Sequence, residues 1–299
     1  MARISVNEST TFHWSLMEDV AGYQAAGVSG IGVWRRKLAD FGEERGIELL
    51  RESELVVSSF FCAGGFTGAD GHTFRESVAD ALDALHAAVE MQAGCLVVVS
   101  GAKAGHTHNH ARRLLREALV ALGDAAAPHG LQIALQFKHG QPAKHYSFLE
   151  SLDAAAELLA QCDHPHVGMV FDMFHVWREP DLFRRIPDFA PWIKLAALTD
   201  ARLPAHCDDD RCVPGQGVLP LVEIIAALEN GGYRGTYDVQ LISDHCREAD
   251  YEQLLADCRS SLGRIAPFLF PTIEQPSSHR QNNAAPAGPS PVPAVVPPR

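Results

Sequence analysis

The chain has 299 residues, 46% of them hydrophobic, and a formal net charge of −12. An acidic chain whose basic residues form only short clusters (Arg35-Arg36-Lys37, Arg112-Arg113, Arg184-Arg185) lacks a nucleic-acid footprint, and no apolar run is long enough to cross a membrane. Seven cysteines, an odd number, with no signal-peptide pattern at Met1-Ala2-Arg3, read as reduced thiols of a cytoplasmic protein whose partner is a small-molecule substrate.

In chain order, residues 3–7 predict a first strand, then the polar loop Glu8-Ser9-Thr10-Thr11 and a helix over 14–26. In that helix Leu16, Val20 and Tyr23 recur at helical spacing, and Gly27 ends it. Val28–Trp34 and Leu55–Phe61 read as the second and third strands, with one helix over Phe41–Glu54 between them. The loop Cys62–Gly68 is glycine-rich but lacks the spacing and closing basic residue of a nucleotide-binding loop. Thr73–Ala93 predicts an amphipathic helix and Cys95–Ser100 the fourth strand. A loop with His106, His108 and His110 follows; alternating histidines can bind metal, but on an exposed loop they read as solvated. Next come a helix over Arg112–His129, the fifth strand Leu131–Phe137, a helix over Ser151–Cys162 and the sixth strand Val167–Asp172. A short helix Leu182–Phe189, the seventh strand Trp192–Thr199 and a polar loop Ala201–Gly217 lead to a helix over Leu219–Asn230. The eighth strand is Gly235–Ile242, and the last helix is Tyr251–Phe268.

Eight strand–helix units at roughly 25–40-residue spacing, with nearly continuous apolar strands, predict a (β/α)8 TIM barrel over 1–270. The competing doubly wound sheet would carry a glycine-rich phosphate loop after its first strand, where this chain has Asn7-Glu8-Ser9-Thr10. Residues 271–299, rich in Pro and Ala with almost nothing to bury, predict a disordered tail.

In a barrel, chemistry sits where strands end. The polar residues there are Asn7, Glu8, Gln136, Lys138, His139, Asp172, His175, Asp200 and Gln240. Asp208, Asp209, Asp210 and Arg211 precede Pro214-Gly215-Gln216-Gly217. Asp172 and His175, three apart at the end of an apolar strand, either face one cavity or cap a loop and pack. His206 with Cys207 and Cys212 offers a zinc-type grouping, and no Ser sits in a nucleophile-elbow motif.

Taken together, Phe171-Asp172-Met173-Phe174-His175, then Leu198-Thr199-Asp200, then Arg211-Cys212-Val213-Pro214-Gly215-Gln216-Gly217, then the segment Gly232–Gln240, resemble the xylose isomerase-like TIM-barrel superfamily and its sugar phosphate isomerase/epimerase group. The resemblance covers about residues 3–268. It implies a sugar isomerase, epimerase or lyase of carbohydrate metabolism, often a homo-oligomer. It also implies a divalent metal (manganese, cobalt, magnesium or zinc) held by four side chains at the barrel mouth. Those are a Glu ending the fifth strand, the Asp of an Asp-x-x-His motif, a His of the seventh strand and a Glu ending the eighth, the two Glu doubling as acid/base pair. Position by position they fall on Gln136, Asp172, Ala197 and Gln240. A hard divalent ion wants anionic oxygens and binds amides far more weakly, so no resident metal is expected in that place. The alternative is a shifted metal site built from Asp172, His175, His206 and the acids at 208–210.

The expected chemistry is therefore proton transfer on a small polyhydroxy or carbonyl substrate, with Asp172, His175, Gln136 and Gln240 as the catalytic set. Arg211, Glu8, Lys138, His139 and Asp200 are the substrate-binding set. By the resemblance Arg211 matches an arginine that binds substrate oxygens; its alternative is a salt bridge within 208–210. Two other readings stand beside this one: a non-catalytic binding or regulatory member, and a repurposed biosynthetic lyase, dehydratase or cyclase.

Overall fold

In the computed structural model, the structure describes residues 3–139, 146–207 and 209–269; Asp208 and the expected tail lie outside the described residues. Eight parallel strands close a barrel: β1 (Ile4–Asn7), β2 (Gly30–Trp34), β3 (Val56–Gly64), β4 (Cys95–Val99), β5 (Gln132–Gln136), β6 (Val167–Asp172), β7 (Ile193–Leu198) and β10 (Tyr237–Val239). β1 meets β10 in register Ile4 with Tyr237, Ser5 with Asp238 and Val6 with Val239, which completes the cylinder.

Alternation along the strands explains the closure. Ile4, Val6, Ile31, Val33, Leu96, Val98, Ile133, Leu135, Met169 and Phe171 belong to the large core cluster that also takes in the surrounding helices. The alternate positions Cys95, Val97, Ala134, Val170, Leu195 and Ala197 form a second, separate cluster that fills the barrel interior. Where the inward row reaches the C-terminal ends of the strands it turns polar, at Asn7, Gln136, Asp172 and Gln240.

Three local readings change. The helix expected over Phe41–Glu54 is two helices, Arg35–Phe41 and Glu43–Glu52, because Gly42 sits between them at φ 99°, which no helix residue adopts. His108 and His110 are not loop residues: Thr107 caps a helix that runs His108–Ala126, and the His106 and His110 rings stack at 4.7 Å. The polar loop Ala201–Gly217 contains a second, antiparallel pair, β8 (Asp200–Ala201) with β9 (Arg211–Cys212), in which Ala201 opposes Arg211. No described helix is long and apolar enough to cross a membrane.

Candidate active site

β6 ends on Asp172, whose carboxylate Oδ1 caps the next turn by accepting from the Phe174 amide at 3.1 Å. The single helical turn Met173–Val176 then places His175 three residues on, over the same face as Asp172. β9 delivers Arg211 from the other side. Its Nη1 and Nη2 donate to Asp172 Oδ1 and Oδ2 at 3.1 and 3.0 Å, a bidentate pair in which neither residue meets solvent. Nη2 also lies 3.4 Å from His175 Nε2 and 3.7 Å from Asp209 Oδ1. The Phe174 ring lies 4.7 Å from the guanidinium carbon, and Gln136 Nε2 donates to Asp172 Oδ2 at 3.3 Å.

The electrostatics follow from this packing. Burial alone would raise the Asp172 carboxyl, but Arg211, His175 and Lys138 outweigh it and hold the group at about 2. Burial pushes the His175 imidazole down. Asp172 and Asp209 pull it up, Arg211 and Lys138 push it down again, and it rests at about 4. At neutral pH Asp172 is a carboxylate and His175 a neutral imidazole.

Above this cluster opens a cavity of about 460 Å³, lined by His175, Lys138, His139 and Asp209 and walled by Phe12, Trp34, Phe61 and Tyr146. Lys138 Nζ stands 3.7 Å from Asp209 Oδ2 and over the Tyr146 ring at 4.7 Å. His139 Nδ1–H donates to the Glu150 carbonyl at 3.0 Å.

Of the sequence-derived set, the structure brings together Asp172, His175, Gln136, Arg211 and Lys138, and sets His139 on the cavity wall. Within that cluster Arg211 has a role other than the one expected, and Asp200, Gln240, His206 and Glu8 lie elsewhere. Arg211 is fully buried beneath His175, so it holds Asp172 rather than reaching into the cavity, and its partners are Asp172 and Asp209. Asp200 is buried among backbone amides: Oδ2 accepts from Gly215 and Gly217 at 2.9 and 3.0 Å, and Oδ1 from Ala201 and Leu219, both at 2.8 Å. That explains the Pro-Gly-Gln-Gly motif structurally, since Gly215 turns at φ 84° and a side chain on Gly217 would strike Asp200 Oδ1 at 2.4 Å. Gln240 turns away from Asp172 and donates to Asp238 Oδ2 at 3.1 Å. His206 pairs with Asp210 at 3.0 Å with its side chain 77% exposed, away from the Asp172 cluster.

Glu8 is buried under the first loop, not in the cavity; its Oε2 accepts from the Trp34 amide at 2.5 Å. Burial and the adjacent Asp19 carboxylate push its carboxyl well above the usual range. Burial raises the Asp19 carboxyl too, but less, because Lys37 at 2.7 Å and the Thr11 hydroxyl at 2.5 Å, which Tyr23 backs at 2.7 Å, favour its charged form. Glu8 is thus the protonated member of the pair. Folding raises its pKa, so stability falls as pH rises above about 4.3, where the unfolded chain ionises. Glu8→Gln, neutral at every pH, should match wild type near pH 4 and melt increasingly above it toward pH 8. A difference in melting temperature that stays flat across that range would contradict the protonated Glu8.

Two residues escaped the sequence reading. Asp238 is fully buried in the barrel, bonded by Ser5 at 2.5 Å and Asn7 at 2.9 Å, and burial raises its carboxyl. Arg247 lines the cavity, stacked over Phe12 at 4.4 Å, and is in no ion pair among the described residues. Asp238 sits mid-strand in an apolar run, a signal in itself; Arg247 follows the eighth strand in a segment that gives no pattern.

The residues present do not fit the metal shell that the fold implies. In the expected places stand Gln136, whose amide N–H faces Asp172, Ala197 in the apolar barrel interior, and Gln240 turned to Asp238. The one carboxylate, Asp172, has both oxygens on Arg211. Among the described residues no group of three His, Cys, Asp or Glu side chains is arranged to hold a metal ion.

Comparison with known proteins gives the lineage. The chain is 25% identical over 259 residues to a 3-dehydroshikimate dehydratase of Pseudomonas putida, covering 83% of this chain but only 39% of that protein. It is 28% identical over 158 residues to an inosose isomerase of Bacillus velezensis, covering 52% and 55% of the two chains. Among solved structures, a protein from Sinorhizobium meliloti superposes with TM-score 0.81 at 25% identity, over 88% of this chain and 98% of that one. A zinc-bound IOLI protein superposes at 0.76 with 19% identity, over 90% and 99% of the two chains. The profile of the xylose isomerase-like TIM barrel matches residues 20–260. With the closed parallel barrel and the Asp172–His175 turn at its mouth, the chain belongs to the xylose isomerase-like TIM-barrel family.

Proposed function

We propose that this chain is an enzyme that moves a proton on a small polyhydroxy or carbonyl compound, as an isomerase, epimerase or dehydratase, with His175 as the proton carrier. The observation that carries the reading is a neutral imidazole on the cavity wall, its side chain 5% exposed, between the carboxylates of Asp172 and Asp209 and the cations Arg211 and Lys138. A neutral imidazole can take a proton from carbon beside a carbonyl. The C–H electron pair becomes the enolate, whose oxygen the Lys138 ammonium can stabilise. The imidazolium so formed is destabilised by burial and by Arg211, which makes it a strong acid. It returns the proton to carbon, giving isomerisation or epimerisation, or gives it to a departing β-hydroxyl, giving water and an unsaturated product. Asp172 and Arg211 act through His175 and do not touch substrate. The enzymes named among the relatives, a dehydratase and isomerases, support both outcomes.

The test is exchange in deuterium oxide. 3-Dehydroshikimate, an inosose and L-ribulose, the compounds named for the relatives and for a structural neighbour, are incubated with the protein with and without EDTA and followed by NMR. Enzyme-dependent uptake of deuterium at carbon, or loss of water, is expected for one of them. Saturable binding of one of them with no exchange would make this chain a binding protein instead.

A further inference from the structure

Arg211 Nη2 has an unusual set of neighbours. Asp172 Oδ2 lies at 3.0 Å, His175 Nε2 at 3.4 Å and Asp209 Oδ1 at 3.7 Å. Those three atoms stand apart by 3.8 Å (Asp172 to His175) and 4.0 Å (His175 to Asp209). Two carboxylate oxygens and an imidazole nitrogen are ligand types that a divalent ion takes; as they stand they are not arranged to hold one, and the point between them is a guanidinium nitrogen. The charge also matches. Two carboxylates face Arg211 and, across Asp209, Lys138 at 3.7 Å, so two side-chain cations balance two anions with no ion added. Beyond the two bonds to Asp172 the guanidinium is not fully satisfied, because Nε is buried without a partner. It is anchored through its backbone, where β9 pairs with β8 and the Cys246 thiol lies 3.6 Å from the Arg211 carbonyl.

We propose that Arg211 is a built-in cation: its guanidinium fills, among Asp172, His175 and Asp209, the place a divalent metal would take, so that the chain itself supplies the charge. This cage shares only Asp172 with the four positions of the implied shell, the other three of which are two amides and a methyl here. It goes beyond the proton-transfer reading and does not depend on which substrate is turned over.

The experiment titrates Co2+ and Zn2+ into EDTA-treated protein by calorimetry, with the cobalt visible spectrum as a second readout and elemental analysis after desalting. Wild type is expected to take up no stoichiometric ion at micromolar metal. Arg211→Ala is expected to bind about one ion per chain, about 1,000-fold tighter than wild type, the scale of a unit charge removed at about 4 Å in a medium between water and dry protein. Adding Asp172→Asn to that variant should abolish the gain. Arg211→Met, which keeps the apolar stem over Phe174, repeats the test should the alanine variant fail to fold by circular dichroism. Wild type that binds one ion per chain and loses it on Asp172→Asn would overturn the proposal. So would a folded Arg211 variant that gains no ion. Neither readout involves turnover, so a protein inert in the deuterium assay leaves this result standing, and the reverse holds too.

Discussion

Asp172→Ala should lower the free energy of unfolding by about 3–5 kcal/mol, the cost of leaving a buried charge without its partner. Arg211 has no solvent contact and its guanidinium is bidentate on Asp172, so the variant strands a cation whose nearest remaining carboxylate oxygen, on Asp209, is 3.7 Å away. The pair itself need not be worth that much, because bringing both charges out of water offsets much of their attraction. Asp172→Leu combined with Arg211→Met should therefore be far less damaged than the sum of the two single changes, and urea denaturation of the four proteins measures the coupling. Strict additivity would show that the two side chains do not depend on each other. The sign of the pH effect follows from the depressed carboxyl. Folding lowers the Asp172 pKa to about 2, so its contribution is complete above the unfolded value of about 3.9 and is lost as pH falls through that window. Asp172→Asn should lack this acid-sensitive step.

The barrel was legible because eight apolar runs announced eight buried strands, and their order left few ways to connect them. The strand end itself was legible for a similar reason, but whether Asp172 and His175 face one cavity or cap a loop was not: Asp172 caps the turn at Phe174, and His175 lines the cavity. What the sequence could not convey was where a side chain turns once it leaves the strand. Asp200 and Arg211 look alike in sequence as charged mouth residues. The two-residue pairing of β8 with β9 fixes Arg211 inward beneath His175, while Asp200 meets four amides of the loop that follows it. Glu8 was misread because its burial depends on Asp19 and Lys37, on separate helices, folding over it. Position-by-position comparison set Gln136, Ala197 and Gln240 where the resemblance implies Glu, His and Glu. It could not show that Arg211 comes to lie within 3–4 Å of Asp172, His175 and Asp209, since no spacing rule links β6 to β9.

His175→Gln should reduce kcat for deuterium exchange by about 10²–10⁴-fold, the range typical of a positioned acid/base group, while KM changes little. Glutamine keeps a polar side chain of similar reach but cannot carry a proton away from carbon. The pH profile separates this role from a structural one. Because burial and Arg211 bring the imidazole to about 4, the wild-type exchange rate should stay level, as far as this group is concerned, from neutral pH down to about 4 and fall below it. A limb near 6.5 would mean an imidazole in ordinary solvent and would sink the assignment. Stability gives an independent check with its own sign. The unfolded chain protonates His175 below about 6.5 while the folded chain resists until about 4, so wild type loses stability as pH falls across that interval. His175→Gln should lose less over the same range. If exchange collapses but the melting profile keeps the wild-type slope, the proton carrier is another group in the cavity, and Lys138 is the next residue to replace.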